Sequence, residues 1–123
     1  MIKLENLIGL TITQIYGKKF DGNTTGFIEI VIKLSEYYLH ITVNDDTDEL
    51  IVQILLSQLE TNSYFIPDWA NNFISKPLMQ CWDIENEKGY SDMICLGIDE
   101  VIPSIVLSAL ASEIKVGLVN YGK

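Results

Sequence analysis

The stretch Leu-Met-Gln-Cys-Trp-Asp-Ile-Glu-Asn-Glu-Lys-Gly-Tyr-Ser-Asp-Met-Ile-Cys-Leu-Gly-Ile-Asp, residues 78–99, decides how the rest of the chain is read. Two apolar-rich runs flank Asn86-Glu87-Lys88-Gly89, and a β-hairpin is the simplest arrangement for them. A three-residue loop of Glu87, Lys88 and Gly89 places glycine at the left-handed position of a type I turn plus bulge, where other residues are strained. Asn86 and Tyr90 then close the turn. Counting back from that pair without interruption sets Cys81 directly opposite Cys95.

Outward from the hairpin, the N-terminal half carries the clearest strand patterns. Residues 27–34 alternate, with Ile28, Ile30, Ile32 and Leu34 on one face and Glu29 and Lys33 on the other. Residues 37–43 repeat the pattern through Leu39, Ile41 and Val43. Joining the two through Ser35-Glu36 sets Ile32 opposite Leu39 and Ile30 opposite Ile41, so both apolar sets share a face. Ser-Glu is not a favoured two-residue turn, which leaves a longer loop open.

Before these strands, Leu4, Leu7 and Ile8 have helical spacing and Gly9 can end that turn. Residues 10–16 read as a strand with Leu10, Ile12 and Tyr16 on one face, and 17–26 as a loop by composition. Residues 50–59 are ambiguous. Asp46 and Glu49 could form a helix capping box, yet Leu50-Ile51-Val52-Gln53-Ile54 is rich in strand formers, and a strand over 50–56 is preferred. Pro67 opens a helix through Trp69, Phe73 and Ile74 that ends before Pro77. After Pro103, residues 104–110 and 112–119 read as two further strands. The expected architecture is a single α+β domain: one antiparallel sheet of six or seven strands with one or two short covering helices.

Charge narrows the function. The chain holds 17 carboxylates against eight lysines and no arginine, for a net charge of −9. Nucleic-acid binding normally needs a basic stripe, and the guanidinium is the best bidentate reader of phosphate. No apolar run approaches the roughly 20 residues needed to span a bilayer. The start, Met1-Ile2-Lys3-Leu4-Glu5, lacks the basic-then-apolar profile of a secretory signal. The expectation is a cytoplasmic protein that binds neither nucleic acid nor membrane. Its excess negative charge suits encounter with a basic protein, or serves colloidal solubility alone.

Each candidate for chemistry has a plain structural counterpart. Asn44, Asp46 and Asp48 fall on the first, third and fifth positions of a calcium loop, but Glu49 stands where glycine should and Leu55 where the closing glutamate should. No metal or other cofactor is expected, and Asp45, Asp46, Asp48 and Glu49 read as a solvated acidic turn available to a partner. His40, the only histidine, lies on the polar face near Glu29 and Tyr38, with no nucleophile marked beside it, and reads as an exposed, structurally indifferent side chain. Cys81 and Cys95 are too far apart in sequence for a Cys-x-x-Cys pair, and in the cytosol they stay reduced. Trp69, Trp82 and Tyr90 can anchor an interface or fill the core.

Several stretches together resemble an uncharacterised family of small bacterial proteins. They are Val43-Asn44-Asp45-Asp46-Thr47-Asp48-Glu49, Lys76-Pro77-Leu78, Trp82 followed by Asn86, Gly89, Tyr90 and Asp92, and Pro103-Ser104-Ile105 with Ala111-Ser112. The resemblance implies no assigned activity. By analogy of size and charge with small acidic bacterial domains, it implies an immunity protein that neutralises a basic toxin. It makes Trp82, Asn86, Gly89, Tyr90 and Asp92 a structural hairpin motif. The reading is a non-catalytic interaction domain, with partner-binding residues Asp45, Asp46, Asp48, Glu49 and Trp69. A second copy of the chain is a further partner class. The alternatives are a small-molecule or metal-binding module using Asp45, Asp46 and Asp48, or a small enzyme built on His40.

Overall fold

Branched and aromatic residues at alternate positions make extended chain the favoured state across most of this sequence. In the computed structural model, which describes residues 3–19, 26–56 and 62–119, eight strands result. The first four are β1 (Ile12–Lys18), β2 (Glu29–Leu34), β3 (Tyr37–Asn44) and β4 (Glu49–Leu55). They form one antiparallel meander in the order β1-β2-β3-β4. The others, β5 (Leu78–Glu85), β6 (Ser91–Ile98), β7 (Ile105–Leu110) and β8 (Glu113–Leu118), form a second meander in chain order.

The expected α+β architecture, a single sheet with covering helices, is therefore incorrect: the described residues are nearly all β and form two four-stranded sheets. Alternation says that each sheet has an apolar face needing cover; it does not say whether a helix or another sheet supplies it. The helical material is too short to do so. Among the described residues it consists of two 3-10 turns, Leu4–Leu7 and Asp68–Asn72. The helix expected after Pro67 stops early: Phe73 already leaves helical geometry at a φ of −121°, and Ser75 then turns to a φ of 70° with its N–H donating to the Ile12 carbonyl at 2.7 Å. The two sheets instead bury each other. Ile12, Ile15, Ile30, Ile32, Leu39 and Ile41 from the first share one core with Leu78, Ile94, Leu96, Ile105, Leu107 and Ile114 from the second.

Backbone bonds stitch the sheets at two corners. Gly9 N donates to Leu78 O (2.7 Å), Leu78 N to Leu10 O (2.9 Å) and Ile12 N to Lys76 O (2.8 Å), so the lead-in to β1 pairs with the lead-in to β5. Phe27 and Ile114 exchange a second pair of bonds at 2.9 and 2.7 Å. Part of the loop expected over 17–26 lies outside the described residues.

Pairing registers separate what local pattern determines from what it does not. The β2–β3 register is as expected, with Ile32 facing Leu39 and Ile30 facing Ile41. Its loop is just Ser35-Glu36, with Ser35 at a φ of 53°. The strand reading of 50–56 also holds. In β1 the expected face is incorrect, because the pairing shifts at Thr13. That bulge puts Ile12 and Ile15 in the core and turns Tyr16 outward, beside Val31.

A bulge also moves the β5–β6 hairpin off its expected register. The turn forms as read: Gly89 has a φ of 84°, and Asn86 N donates to Tyr90 O at 2.8 Å. Glu85 faces Ser91 but Ile84 faces Met93, so Asp92 is the extra residue. Cys81 consequently faces Leu96, and Trp82 faces Cys95. A slip of one residue exchanges faces, so the two thiols lie on opposite sides of the sheet. Both are free. Burial pushes both thiols up, Cys81 with further help from Glu5 and Asp83, which keeps them protonated.

Two glycines separate strain from crowding. A Cβ at Gly89 meets nothing within 4 Å, whereas at Gly97 it would lie 2.6 Å from the carbonyl oxygen of Glu100 and 2.8 Å from that of Ile102. Gly89→Ala should cost about 1 kcal/mol through its left-handed backbone. Gly97→Ala should cost more, about 1–3 kcal/mol, because backbone must move. Urea unfolding of the two variants checks the order, and equal losses would contradict it.

Candidate functional site

Three turns converge at one end of the paired sheets. They are the acidic β3–β4 turn, the β5–β6 turn with its Asn-Gly-Tyr motif, and the β7–β8 turn at Ala111 and Ser112. What joins the first to the last is Asp48. Its Oδ1 accepts the N–H of Ser112 at 2.8 Å and its Oδ2 that of Ala111 at 3.2 Å. Ala111 and Ser112 both have left-handed backbone, with φ of 54° and 64°, and Asp48 itself sits at 53°. A carboxylate taking two amide hydrogens makes charge-assisted bonds, which are stronger than neutral ones. Asp48 is thus a bracket between the two sheets.

The other acids of the turn divide. Asn44 Oδ1 accepts the Asp46 N–H at 3.0 Å, an Asx turn that shapes the loop, and Glu49 Oε1 accepts the Thr47 hydroxyl at 2.9 Å. Asp45 and Asp46 remain exposed, and among the described residues no hydrogen bond engages either carboxylate. Of the four acids read as partner-binding, the fold uses Asp48 and Glu49 for its own structure and presents Asp45 and Asp46. With both Asp48 oxygens bonded to amides, the Asp45–Asp46–Asp48 set has lost one of its metal donors. Among the described residues no group of three or more His, Cys, Asp or Glu is placed to hold a metal ion.

The second turn is organised by Asn86. Its Oδ1 accepts the N–H groups of Lys88 (2.9 Å) and Tyr90 (3.2 Å), and its Nδ2 donates to Asp92 Oδ2 at 3.4 Å. Asn86, Gly89, Tyr90 and Asp92 are therefore one device for making and bulging this turn. Below it, Ser91 Oγ donates to Asp83 Oδ1, clasping the two strands. Trp82, half-buried opposite Cys95, lies on the sheet face turned away from the core.

The two turns enclose a cleft of about 470 Å³ lined by Asp46, Thr47, Asn86, Glu87, Lys88 and Tyr90. A second cleft, of about 510 Å³, is lined by Ile28, Glu29, Thr42, Val43, Asp45 and Ser112. The β3–β4 turn is thus a ridge with a hollow on either side, Asp46 facing one and Asp45 the other. Sequence reasoning named both the acidic turn and the Asn86 motif without placing them beside each other. Nothing in the sequence marks Glu87 and Lys88 as more than turn residues, yet both line the cleft.

Trp69 does not join this site. It meets Phe27 and Phe73 edge-on at 6.2 and 6.4 Å, and Phe27 stacks on Phe65 at 5.8 Å. A smaller cleft of about 210 Å³, lined among others by Lys19, Phe65 and Trp69, opens over these rings. Lys19 Nζ lies 5.3 Å from the Phe27 ring centre and 5.8 Å from that of Phe65.

His40 lies on the outer face of the first sheet near Glu29, as expected, but it is neither exposed nor indifferent: its side chain is 15% exposed and its Nε2 lies 2.8 Å from Glu29 Oε1. Sequence reasoning missed two further members. Tyr64 donates its hydroxyl to Glu29 Oε2 at 3.1 Å, and Lys18 Nζ lies 3.7 Å from the same oxygen. Lys18 faces Glu29 directly across the strands, which only the bulged β1 register reveals. Tyr64 comes from irregular chain and had no periodic signal. Burial first, then the charge and hydrogen bond of Glu29, push the Tyr64 hydroxyl up to about 12.

Comparison with known proteins identifies one family. Residues 1–122 match the model of a family of unknown function (DUF6334), and the chain belongs to that family. No curated protein and no solved structure matches it. Among the described residues no helix is long and apolar enough to cross a membrane.

Asp48→Asn should lower stability by about 1 kcal/mol or more, through loss of a charged acceptor for two amides. Asp45→Asn and Asp46→Asn should each change it by less than about 0.5 kcal/mol. Chemical denaturation of the three variants tests this, and an unchanged Asp48 variant would remove the bracket. Tyr64 gives a pH test. Its raised value means the fold favours the neutral phenol, so this stabilisation is full below pH 10 and is lost as pH rises through about 12. The melting temperature of a Tyr64→Phe variant should fall less between pH 10 and 12 than that of the parent. Parallel curves would contradict the Tyr64–Glu29 contact.

Proposed function

We propose that this member of the family acts by binding a basic protein at the end of the sheets formed by the three turns, and that it catalyses nothing. One observation carries the reading: the β3–β4 turn, anchored from behind by Asp48, presents Asp45 and Asp46 on a ridge between two hollows. A rigid acidic ridge is suited to basic side chains entering the hollows. Glu87 adds a carboxylate across the first of them, and Tyr90, 36% exposed there, supplies an aromatic surface. The net charge of −9 extends the attraction outward and speeds encounter. The same field disfavours nucleic acid.

The finer form of the proposal is a cytoplasmic immunity protein that neutralises a basic toxin. Size, acidity and the presented ridge support it by analogy. His40 supports catalysis less well than binding. It has one carboxylate neighbour, Glu29, whose two oxygens are shared with Tyr64 and Lys18.

Exposed charges steer association more than they set final affinity. With a partner recovered by co-purification, raising salt from about 50 to 500 mM should slow association several-fold and change dissociation less. The double variant Asp45→Asn/Asp46→Asn should lose much of that salt dependence while keeping its melting temperature. An on-rate indifferent to both salt and the double variant would take the ridge out of the mechanism. Co-expression with the toxin-like product of a neighbouring coding region tests the immunity form, and protection lost in the double variant is the expected result.

A further inference from the structure

Sheet edges present unpaired backbone N–H and C=O groups, and proteins usually guard them with bulges, lysines, covering chain or short strands. Three of the four edge strands here carry such guards. β1 is bulged at Thr13 and covered by Phe65, which exchanges hydrogen bonds of 2.8 and 2.9 Å with Gly17. β5 is interrupted by register shifts near both ends. β8 carries Lys115 and is capped by the Phe27 pairing at Ile114. β4 has none of these. Its seven residues pair with β3 without a shift, and Leu50 to Leu55 contains no charge, proline or glycine. Among the described residues, no backbone bond reaches its outer edge.

The side chains of β4 are also incompletely covered. Leu50 is buried, but Val52 and Ile54, on the same core-facing side, are only half-buried, and Ile51 on the other side is 41% exposed. The core runs out at this strand. A further strand with apolar residues on the core-facing side would complete it.

We propose that β4 of a second copy is that strand, and that two chains join antiparallel across a twofold axis at Val52 into one eight-stranded sheet. In this register Val52 faces Val52 of the second copy, and Leu50 faces Ile54. Apolar residues then meet on the core side, and Ile51 meets Gln53 on the other. Charge selects the antiparallel direction. It carries the two acidic β3–β4 turns to opposite ends of the interface, whereas a parallel arrangement would set them side by side. Like charges so placed repel. The turn end used in the proposed function stays free, so either reading can fail without the other.

Sedimentation of the wild-type chain should give twice the chain mass at micromolar concentrations. Val52→Lys sets two ammonium groups face to face and should weaken the dimer about tenfold or more, with far-UV circular dichroism unchanged. Should that variant fail to fold, a cysteine pair still tests the register. Val52→Cys should form an intermolecular disulfide under mild oxidation, since facing Cα atoms lie about 4.5–5.5 Å apart. Ile51→Cys should not, because its twofold mate is about 8 Å away, beyond disulfide reach. A wild-type chain that stays at monomer mass up to about 500 μM overturns the proposal on mass-action grounds. So does a folded Val52→Lys variant that dimerises as tightly as wild type, or crosslinking equal at the two positions.

Discussion

Everything in this fold depends on one mutual burial. Each four-stranded meander has a face of isoleucine and leucine that water would cover if the other sheet were absent. Fully burying one such side chain contributes about 1.5–3 kcal/mol. Many do so here, with Ile12, Ile15, Ile30, Ile41, Ile105 and Ile114 at 0% exposure. No polar side chain among the described residues is fully buried in that interface. The interior therefore gives association without direction. Direction comes from the corners, where the backbone of residues 9–12 pairs with 76–78 and Phe27 with Ile114, so that the sheets dock in one arrangement.

The same division of labour shapes the candidate site. An acidic run of five residues looks uniform in sequence, yet the fold separates it into support and display. Asp48 spends both oxygens on a turn more than sixty residues away, and Glu49 turns back to Thr47. Asp45 and Asp46 are held outward by that anchoring and by the Asx turn at Asn44. The Asn86 motif shapes a turn, and through that turn it also forms one wall of the cleft beside Asp46.

How much of this was legible in the sequence follows from the range of each interaction. The strands were, because side-chain alternation is local, although β1 begins and ends two residues later than its pattern suggests; so was the β2–β3 register, which the apolar faces and the Ser35-Glu36 loop determine between them. The turn at Gly89 was readable from its residue types. Bulges were not, and both errors of register came from them. The extra residues Thr13 and Asp92 have nothing in their identity that sets them apart from paired neighbours. The number of sheets was hidden for a different reason. One apolar face and two facing apolar faces require the same local alternation, and only docking decides whether a second sheet covers the first. The partners of Asp48 and Glu29 lay beyond reach because they join elements whose separation in sequence carries no periodic trace.

The two meanders also differ in when they can exist. Each is made of consecutive strands, so the first has all four of its strands once residue 55 has been made. Its cover is encoded later, from residue 78 to 118. At about 5–20 residues per second, a nascent chain would wait roughly 3–12 s between finishing the first sheet and finishing its lid. During that interval an assembled sheet shows a bare isoleucine face and an unguarded β4. The order of the strands along the chain thus exposes that isoleucine face to water for longer than any other part of the core, an exposure that ends when the second sheet docks.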